Sequence, residues 1–212
     1  MKLSALLDKY LADQDYLEEV EKTRKRRDEV RPEILDFLEG FLVARREVEE
    51  WKEKIQLINM RWGIGRAIPI ILGVYNECKE MGRLGQLEAF IRRHIAIPRL
   101  TELKRMEQLV DFVKSNYRTN QRLRLLFVLT VFWHIQKPDT YPIFYPKSRQ
   151  GLEILRAKGY LTPLACEIED CYDQYLDFML ALSGLRGFLA ARDVSPYHVE
   201  HFLCWVAKQD KS

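Results

Sequence analysis

Cysteine is scarce in this chain of 212 residues: only four are present, and no two of them form a CxxC pair. Scattered thiols are typical of reduced side chains in a cytoplasmic protein and not of a disulfide framework. Long apolar runs are missing too. The longest, Leu125 to Trp133, is far shorter than the roughly 20 residues that cross a bilayer, and the amino terminus carries charge too early for a signal peptide. We predict a cytoplasmic protein without a membrane segment.

Motifs for nucleotide binding and for hydrolysis are also absent. The sequence contains no GxxxxGKS, GxxxxGKT, GxSxG or HExxH, and the segment Gly63-Ile64-Gly65 lacks the third glycine and the preceding strand of a dinucleotide fingerprint. His198, His201 and Cys204 follow one another at helical spacing. Because no second thiolate accompanies them, we interpret them as half-exposed helix residues and not as metal ligands. We expect no enzymatic activity, no cofactor and no metal.

Apolar residues recur at helical spacing along most of the chain, and strand-like alternation is confined to a weak candidate at Tyr141 to Tyr145. Hydrophobic residues make up 47% of the chain, which is ample for a buried core. The pattern predicts an all-α fold, as a single compact multi-helix domain with a long N-terminal amphipathic helix.

A charged block from Glu18 to Arg31 interrupts the apolar pattern and predicts a solvated helix or a hinge. Pro32 suits the first turn of a new helix, whose apolar stripe continues to Ile58. We therefore predict an N-terminal charged helical segment, residues 1–31, and a helical recognition domain, residues 32–212. Further helices are predicted at 67–81, 86–94, from Pro98 onward, at 148–157, 162–182 and 195–208, with a turn at 183–187.

Charge over the whole chain is nearly balanced, with 34 basic and 31 acidic residues and a formal net charge of +3. This balance does not demand a polyanionic partner, so binding to nucleic acid has to depend on local clusters. Scattered arginines that only keep a helical domain soluble are the alternative. The clusters that favour DNA binding contain Arg61, Trp62, Arg66, Arg122, Arg124, Tyr141, Phe144, Tyr145, Lys147 and Arg149.

An aromatic loop follows the apolar helix that begins near Arg122. Three prolines, Pro138, Pro142 and Pro146, restrict the residues before them, which pushes Tyr141 and Tyr145 toward extended conformations. Stiff aromatic side chains beside Lys and Arg are what a stacking surface for bases would use. The alternative is a loop that packs its own aromatic side chains into the core.

Two segments, Asn59 to Ile64 and Phe127 to Tyr145, resemble the helical amino-terminal region found ahead of the AAA+ motor in McrB-like GTPases and related restriction ATPases. That region carries an Asn-x-x-Trp-Gly-Phe turn and a later Phe-Trp-x-Ile-Gln-x-Pro-x-x-x-Pro-Ile-Tyr-Tyr run, and the likeness extends roughly from Phe37 to Leu155. Ile64 and Phe144 depart from it, standing where Phe and Tyr are expected. The matching positions are Asn59, Trp62, Gly63, Phe132, Trp133, Ile135, Gln136, Pro138, Pro142, Ile143 and Tyr145.

The resemblance implies a recognition module that binds double-stranded DNA, often modified DNA, beside an AAA+ GTPase motor and a McrC-like nuclease subunit. Our leading hypothesis is such a DNA-binding specificity domain, and a sharper version has a modified base extruded and stacked on Trp62 or Tyr141. The alternative from another class is a protein-interaction domain, whose aromatic loop docks a partner without touching nucleic acid. A relic of a helix-hairpin-helix glycosylase is a remote third, since no catalytic acid lies near Tyr145.

Overall fold

A computed structural model describes residues 2–43, 45–64, 68–97, 105–116, 122–164 and 171–210. These residues form helices and connecting segments, and no strand occurs among them, which confirms the predicted all-α class. Residues 141–145, the weak strand candidate, are not a strand. The helices are α1 (Leu3–Ala12), α2 (Gln14–Leu42), α3 (Val48–Trp62), α4 (Ile68–Glu80), α5 (Leu84–Ile95), α6 (Arg105–Asn116), α7 (Arg122–Gln136), α8 (Pro146–Ala157), α9 (Cys171–Ala190) and α10 (His198–Gln209).

The chain divides into two compact units. Unit 1 combines the two ends of the sequence, Met1–Lys25 and Pro142–Ser212, and unit 2 is the intervening stretch, Arg26–Tyr141. Unit 1 therefore contains α1, the beginning of α2, and α8 to α10, whereas unit 2 contains the rest of α2 and α3 to α7. The boundary predicted between residues 31 and 32 does not coincide with this division, which falls between Lys25 and Arg26; both positions lie inside α2.

The long N-terminal amphipathic helix is present, but its bounds differ from the prediction. Pro32 does not begin a helix, since α2 runs continuously through it. The helix ends at Leu42 instead of continuing to Ile58, and the backbone N–H of Arg45 bonds to the carbonyl oxygen of Gly40 at 2.8 Å. A new helix then begins after Glu47, whose side chain forms a reciprocal capping box with Glu50. The helical spacing of apolar residues in the sequence continues across this break without interruption. Only the capping residues Glu47 and Glu50 indicate where the new helix begins.

Unit 2 has an aromatic core built on α7. Leu126 to Trp133 are buried throughout, and the ring of Phe132 stacks on Trp51 of α3 with centroids 4.8 Å apart. Two side chains of α7 also bond to the end of α5: the Trp133 indole N–H donates to the His94 carbonyl at 3.0 Å, and the Gln136 amide donates to the Ile95 carbonyl at 2.8 Å. The apolar segment of the sequence is thus the central helix of this unit.

Unit 1 is held by close contact between α8 and α10. A Cβ atom built on Gly151 would lie 2.0 Å from the carbonyl oxygen of Leu203, so only glycine allows this approach. On the other side of α8, the guanidinium of Arg156 forms two hydrogen bonds, of 2.8 and 2.7 Å, with the carboxylate of Asp177 on α9. The hydroxyl of Tyr10 in α1 bonds to the Nδ1 atom of His198 at 2.8 Å.

Two local predictions in unit 1 are wrong. Residues 183–187 are not a turn but lie inside α9. Leu182, Leu185 and Leu189 are buried at helical spacing there, and their packing outweighs the weak helix propensity of the two glycines. Ser148 does not cap α8, which begins two residues earlier with Pro146 in its first turn. Its hydroxyl is buried instead, 3.4 Å from the Cys204 sulfur.

Candidate nucleic-acid interface

The first half of the aromatic loop belongs to the core of unit 2. After α7, the backbone N–H of Tyr141 bonds to the carbonyl oxygen of Lys137 at 3.0 Å, which turns the chain back on the helix. The Tyr141 side chain is only 4% exposed and packs against Trp133 at a centroid distance of 5.8 Å. Nδ1 of His134 lies 3.0 Å from the Tyr141 carbonyl oxygen. This ring therefore contributes to packing and offers no open face.

The second half of the loop belongs to the core of unit 1. Phe144 is 2% exposed, and its ring meets Phe178 edge-on at 5.2 Å. The Tyr175 hydroxyl donates to the Pro142 carbonyl at 2.9 Å, and the carboxylate of Glu200 accepts the N–H of Ile143 at 2.8 Å. These two backbone polar groups of the loop are thus satisfied inside the unit, which is how buried irregular segments are stabilised.

Trp62 closes α3 and is also buried, with 2% of its side chain exposed. Gly63 follows with φ of 68° and ends the helix in the left-handed conformation, as the predicted glycine turn requires. Stacking on an extruded base requires an accessible ring face. The exposed stacking surface predicted from the sequence is therefore wrong for Trp62, Tyr141 and Phe144. Tyr145 is half-buried.

The predicted basic residues have different environments. Lys147 is exposed on the first turn of α8. Arg149, two residues further, lies 4.8 Å from the centre of the Phe144 ring and 3.7 Å from the carboxylate of Glu153, so its charge already has an acidic partner. Arg66 lies outside the described residues, and so do the side chains of Arg122 and Arg124 at the start of α7.

A different set of arginines lies along α2 and at the end of α3 in unit 2. Arg27 Nε donates a long hydrogen bond of 3.4 Å to the carbonyl oxygen of Arg61, and its guanidinium lies 5.9 Å from the Trp62 ring centre. One turn along α2, Arg31 Nε donates to the carbonyl oxygen of Ile135 at 2.9 Å. The C-terminal ends of α3 and α7 therefore lie against successive turns of α2. We call Arg27, Arg31 and Arg61 the arginine cluster.

None of the three guanidinium groups in the arginine cluster has a carboxylate within 4.0 Å in the part of the chain that the structure describes. Other arginines of unit 2 do: Arg46 lies 3.1 Å from Glu50, and Arg92 pairs with Glu88. Sequence reasoning identified Arg61 but missed Arg27 and Arg31, because it treated the whole charged block as solvated. The sequence feature that could have identified Arg27 and Arg31 is their spacing of four residues, which places both on one face of a helix.

The two units also differ in net charge. Residues 26–141 contain 21 basic and 16 acidic residues, whereas the two segments of unit 1 together contain 13 basic and 15 acidic residues. The small positive charge of the whole chain is thus the difference between a basic unit 2 and a slightly acidic unit 1. Net charge alone therefore makes unit 2 the more favourable of the two units for a polyanion.

A second polar group lies in unit 1, around the bond between Tyr10 and His198. Burial raises the pKa of the Tyr10 and Tyr16 hydroxyls above the ordinary value, and burial lowers the pKa of His198. The thiol of Cys204 is nearby and adds to the pKa shifts of both tyrosines. Among the described residues, no group of three His, Cys, Asp or Glu side chains is arranged to hold a metal ion.

No family model, curated protein or solved structure matches this chain. Within the described residues, none of the helices has the combination of length and apolar character that crossing a membrane requires.

Proposed function

We propose that the chain is a recognition module that binds double-stranded DNA, of the kind that precedes the motor in McrB-like restriction systems. The observation that carries the proposal is the charge of unit 2, where basic residues outnumber acidic ones by 21 to 16. Contacts between cations and phosphates supply most of the affinity of proteins for DNA of any sequence. Binding is therefore assigned to the cations of unit 2, and the aromatic loop serves to build the two cores.

In this proposal the module acts with other subunits in the cytoplasm. The resemblance of Asn59 to Ile64 and of Phe127 to Tyr145 to the McrB-like region supports an AAA+ GTPase motor and a McrC-like nuclease as its partners. The motor would hydrolyse nucleotide and the nuclease would cut, so the chain itself carries no catalytic role. Base extrusion onto Trp62 or Tyr141 is not part of the proposed function, because both rings are buried.

The test is a binding measurement with the full chain. Fluorescence anisotropy is followed with duplexes of about 25 base pairs, unmodified and methylated, across a range of salt concentrations. We expect binding at low salt, with the logarithm of the association constant falling linearly with the logarithm of the salt concentration, by about 0.9 for each phosphate contacted. Absence of binding to both duplexes at low salt would overturn the proposal.

A second candidate is a protein-interaction domain, and exposed apolar side chains favour it. Met60 on α3 is 74% exposed and Val43 is 61% exposed, both in unit 2. Large exposed apolar side chains are a feature of contact surfaces between proteins. Size-exclusion chromatography with a candidate motor subunit tests this function: Met60→Glu should abolish co-elution, while Met81→Glu, also exposed in unit 2, serves as the matched control.

A further inference from the structure

The hydrogen-bond donors of the arginine cluster are only partly used inside the protein. A guanidinium carries five N–H groups, one on Nε and four on the two Nη atoms. Arg27 and Arg31 each direct Nε to a backbone carbonyl, and among the described residues their Nη atoms have no carboxylate partner. Each therefore retains the pair of Nη atoms that binds a phosphate or carboxylate in the forked arrangement.

The carbonyl bonds also orient these donors. Both arginines are half-buried, and each Nε bond holds the plane of its guanidinium against a helix end. A side chain that is already ordered loses less entropy when an anion binds. The α3 and α7 ends contribute roughly half a negative charge each, so they hold the arginines without neutralising all three positive charges.

Arg61 completes the group from the last turn of α3. Its backbone carbonyl accepts the bond from Arg27, while its own Nε is buried and has no hydrogen-bond partner among the described atoms. Its guanidinium has no carboxylate within 4.0 Å in the described part of the chain. Arg61 thus lies in the helix turn that Arg27 contacts, while Arg27 and Arg31, one turn apart on α2, have backbone carbonyls in place of acidic partners.

We propose that Arg27, Arg31 and Arg61 form a clamp for phosphate groups, and that its ligand is the phosphodiester backbone of duplex DNA. This inference rests on the proposed function, for which it supplies the contact residues. The forked donors match the oxygens of a phosphate, and neighbouring phosphates on one strand are spaced closely enough for more than one cation to be engaged. The clamp positions DNA and does not select a base sequence.

The decisive variant is Arg61→Gln, because it removes one cation without removing either carbonyl bond. Anisotropy with the full chain and an unmodified duplex should show the salt slope reduced by about 0.9, and by about 2.7 in the variant that replaces all three arginines with glutamine. Arg83→Gln, an equal charge change on an exposed residue between α4 and α5 of the same unit, is the matched control and should leave the slope unchanged. Circular dichroism checks that each variant is folded.

The outcomes separate the two proposals. If the unaltered chain binds DNA and Arg61→Gln keeps its full salt slope, the clamp is overturned while the proposed function stands. If the unaltered chain binds no DNA at low salt, both are overturned. Inorganic phosphate is the competing ligand with the same chemistry. It is added at millimolar concentration to the bound duplex, with sulfate at equal ionic strength as the control. If phosphate releases more duplex than sulfate does, the cluster is a pocket for the free ion, and the assignment to the DNA backbone is overturned.

Discussion

Three arginines of unit 1 and two arginines of unit 2 bond to different kinds of partner. In unit 1, Arg149, Arg156 and Arg192 each have a carboxylate nearby, at 3.7, 2.7 and 2.9 Å. In unit 2, Arg27 and Arg31 bond to backbone carbonyls. A carboxylate cancels the charge of its partner, whereas a carbonyl only orients it. The partner of an arginine, more than the number of arginines, therefore determines whether the side chain is available to an external anion.

The largest expected effect concerns the two tyrosines of the aromatic loop. Tyr141→Ala should lower the free energy of unfolding by about 3–5 kcal/mol, because a buried ring leaves a cavity in unit 2. Tyr145→Ala, at a half-buried position of unit 1, should lower it by about 1 kcal/mol. Urea denaturation measures both. A Tyr141→Ala protein of normal stability that no longer distinguishes methylated from unmodified duplexes would restore the loop as a recognition surface.

The next largest change in stability is expected where α8 and α10 approach each other closely. Gly151→Ala should destabilise the protein by about 3 kcal/mol, because the new Cβ atom overlaps the Leu203 backbone and the two helices must move apart. Gly184→Ala on α9 is the control: its Cβ atom would meet nothing within 4 Å, so we expect a gain of about 0.5–1 kcal/mol from helix propensity. Thermal denaturation followed by circular dichroism compares the two, and equal melting temperatures would contradict the packing described for unit 1.

Arg156→Gln and Arg31→Gln replace an arginine paired with a carboxylate and an arginine bonded to a backbone carbonyl, respectively. Arg156→Gln leaves the partly buried Asp177 carboxylate without its bidentate partner and should cost about 2 kcal/mol. Arg31→Gln loses one bond to a carbonyl and should cost about 1 kcal/mol. The effects on DNA binding should have the opposite order. Arg31→Gln should reduce the salt slope of DNA binding, and Arg156→Gln should leave it unchanged. The comparison fails if Arg156→Gln weakens DNA binding more than Arg31→Gln at a temperature where both are folded.

The smallest effect is a dependence of stability on pH in unit 1. Because the pKa of His198 is lower in the folded protein than its ordinary value of 6.5, the unfolded chain binds more protons in this range. Stability should therefore fall as the pH drops through 6.5 toward the lowered pKa, and remain level above 6.5. His198→Gln keeps an acceptor for the Tyr10 hydroxyl and should reduce this slope. Urea denaturation at pH 7.5 and 5.5 measures the change in unfolding free energy between these pH values. If His198→Gln leaves that change as it is, the pH dependence belongs to other groups.

Local periodicity predicted the helical class and several helices well. The prediction of a helix at 67–81 agrees closely with α4, Ile68–Glu80, and that at 148–157 agrees with α8 apart from its first two residues. Helix ends were predicted less well, because they depend on contacts between distant residues. Gly184 and Gly187 continue a helix whose apolar face is buried, and Pro32 is accommodated in the interior of α2.

The candidate site was harder to predict because burial is a property of the whole fold. A sequence of aromatic residues beside prolines is compatible with an exposed loop and with a packed loop. The distinction depends on which rings the fold brings together, Trp133 against Tyr141 and Phe178 against Phe144. The arginines raise the same difficulty. Arg24 to Arg27 form one uninterrupted basic run in the sequence, yet Arg27 reaches the end of α3 while Lys25 is exposed. Charge alone does not reveal which side chain meets a carbonyl.

The order of segments along the chain has a consequence for synthesis on the ribosome. Unit 1 is assembled from the two ends of the sequence, and the bond between Tyr10 and His198 joins residues 188 positions apart. At about 5–20 residues per second, α1 emerges on the order of ten seconds or more before α10 can meet it. During that interval the apolar side of α1 has no partner from α10, so the nascent chain exposes this apolar surface until α10 has been made.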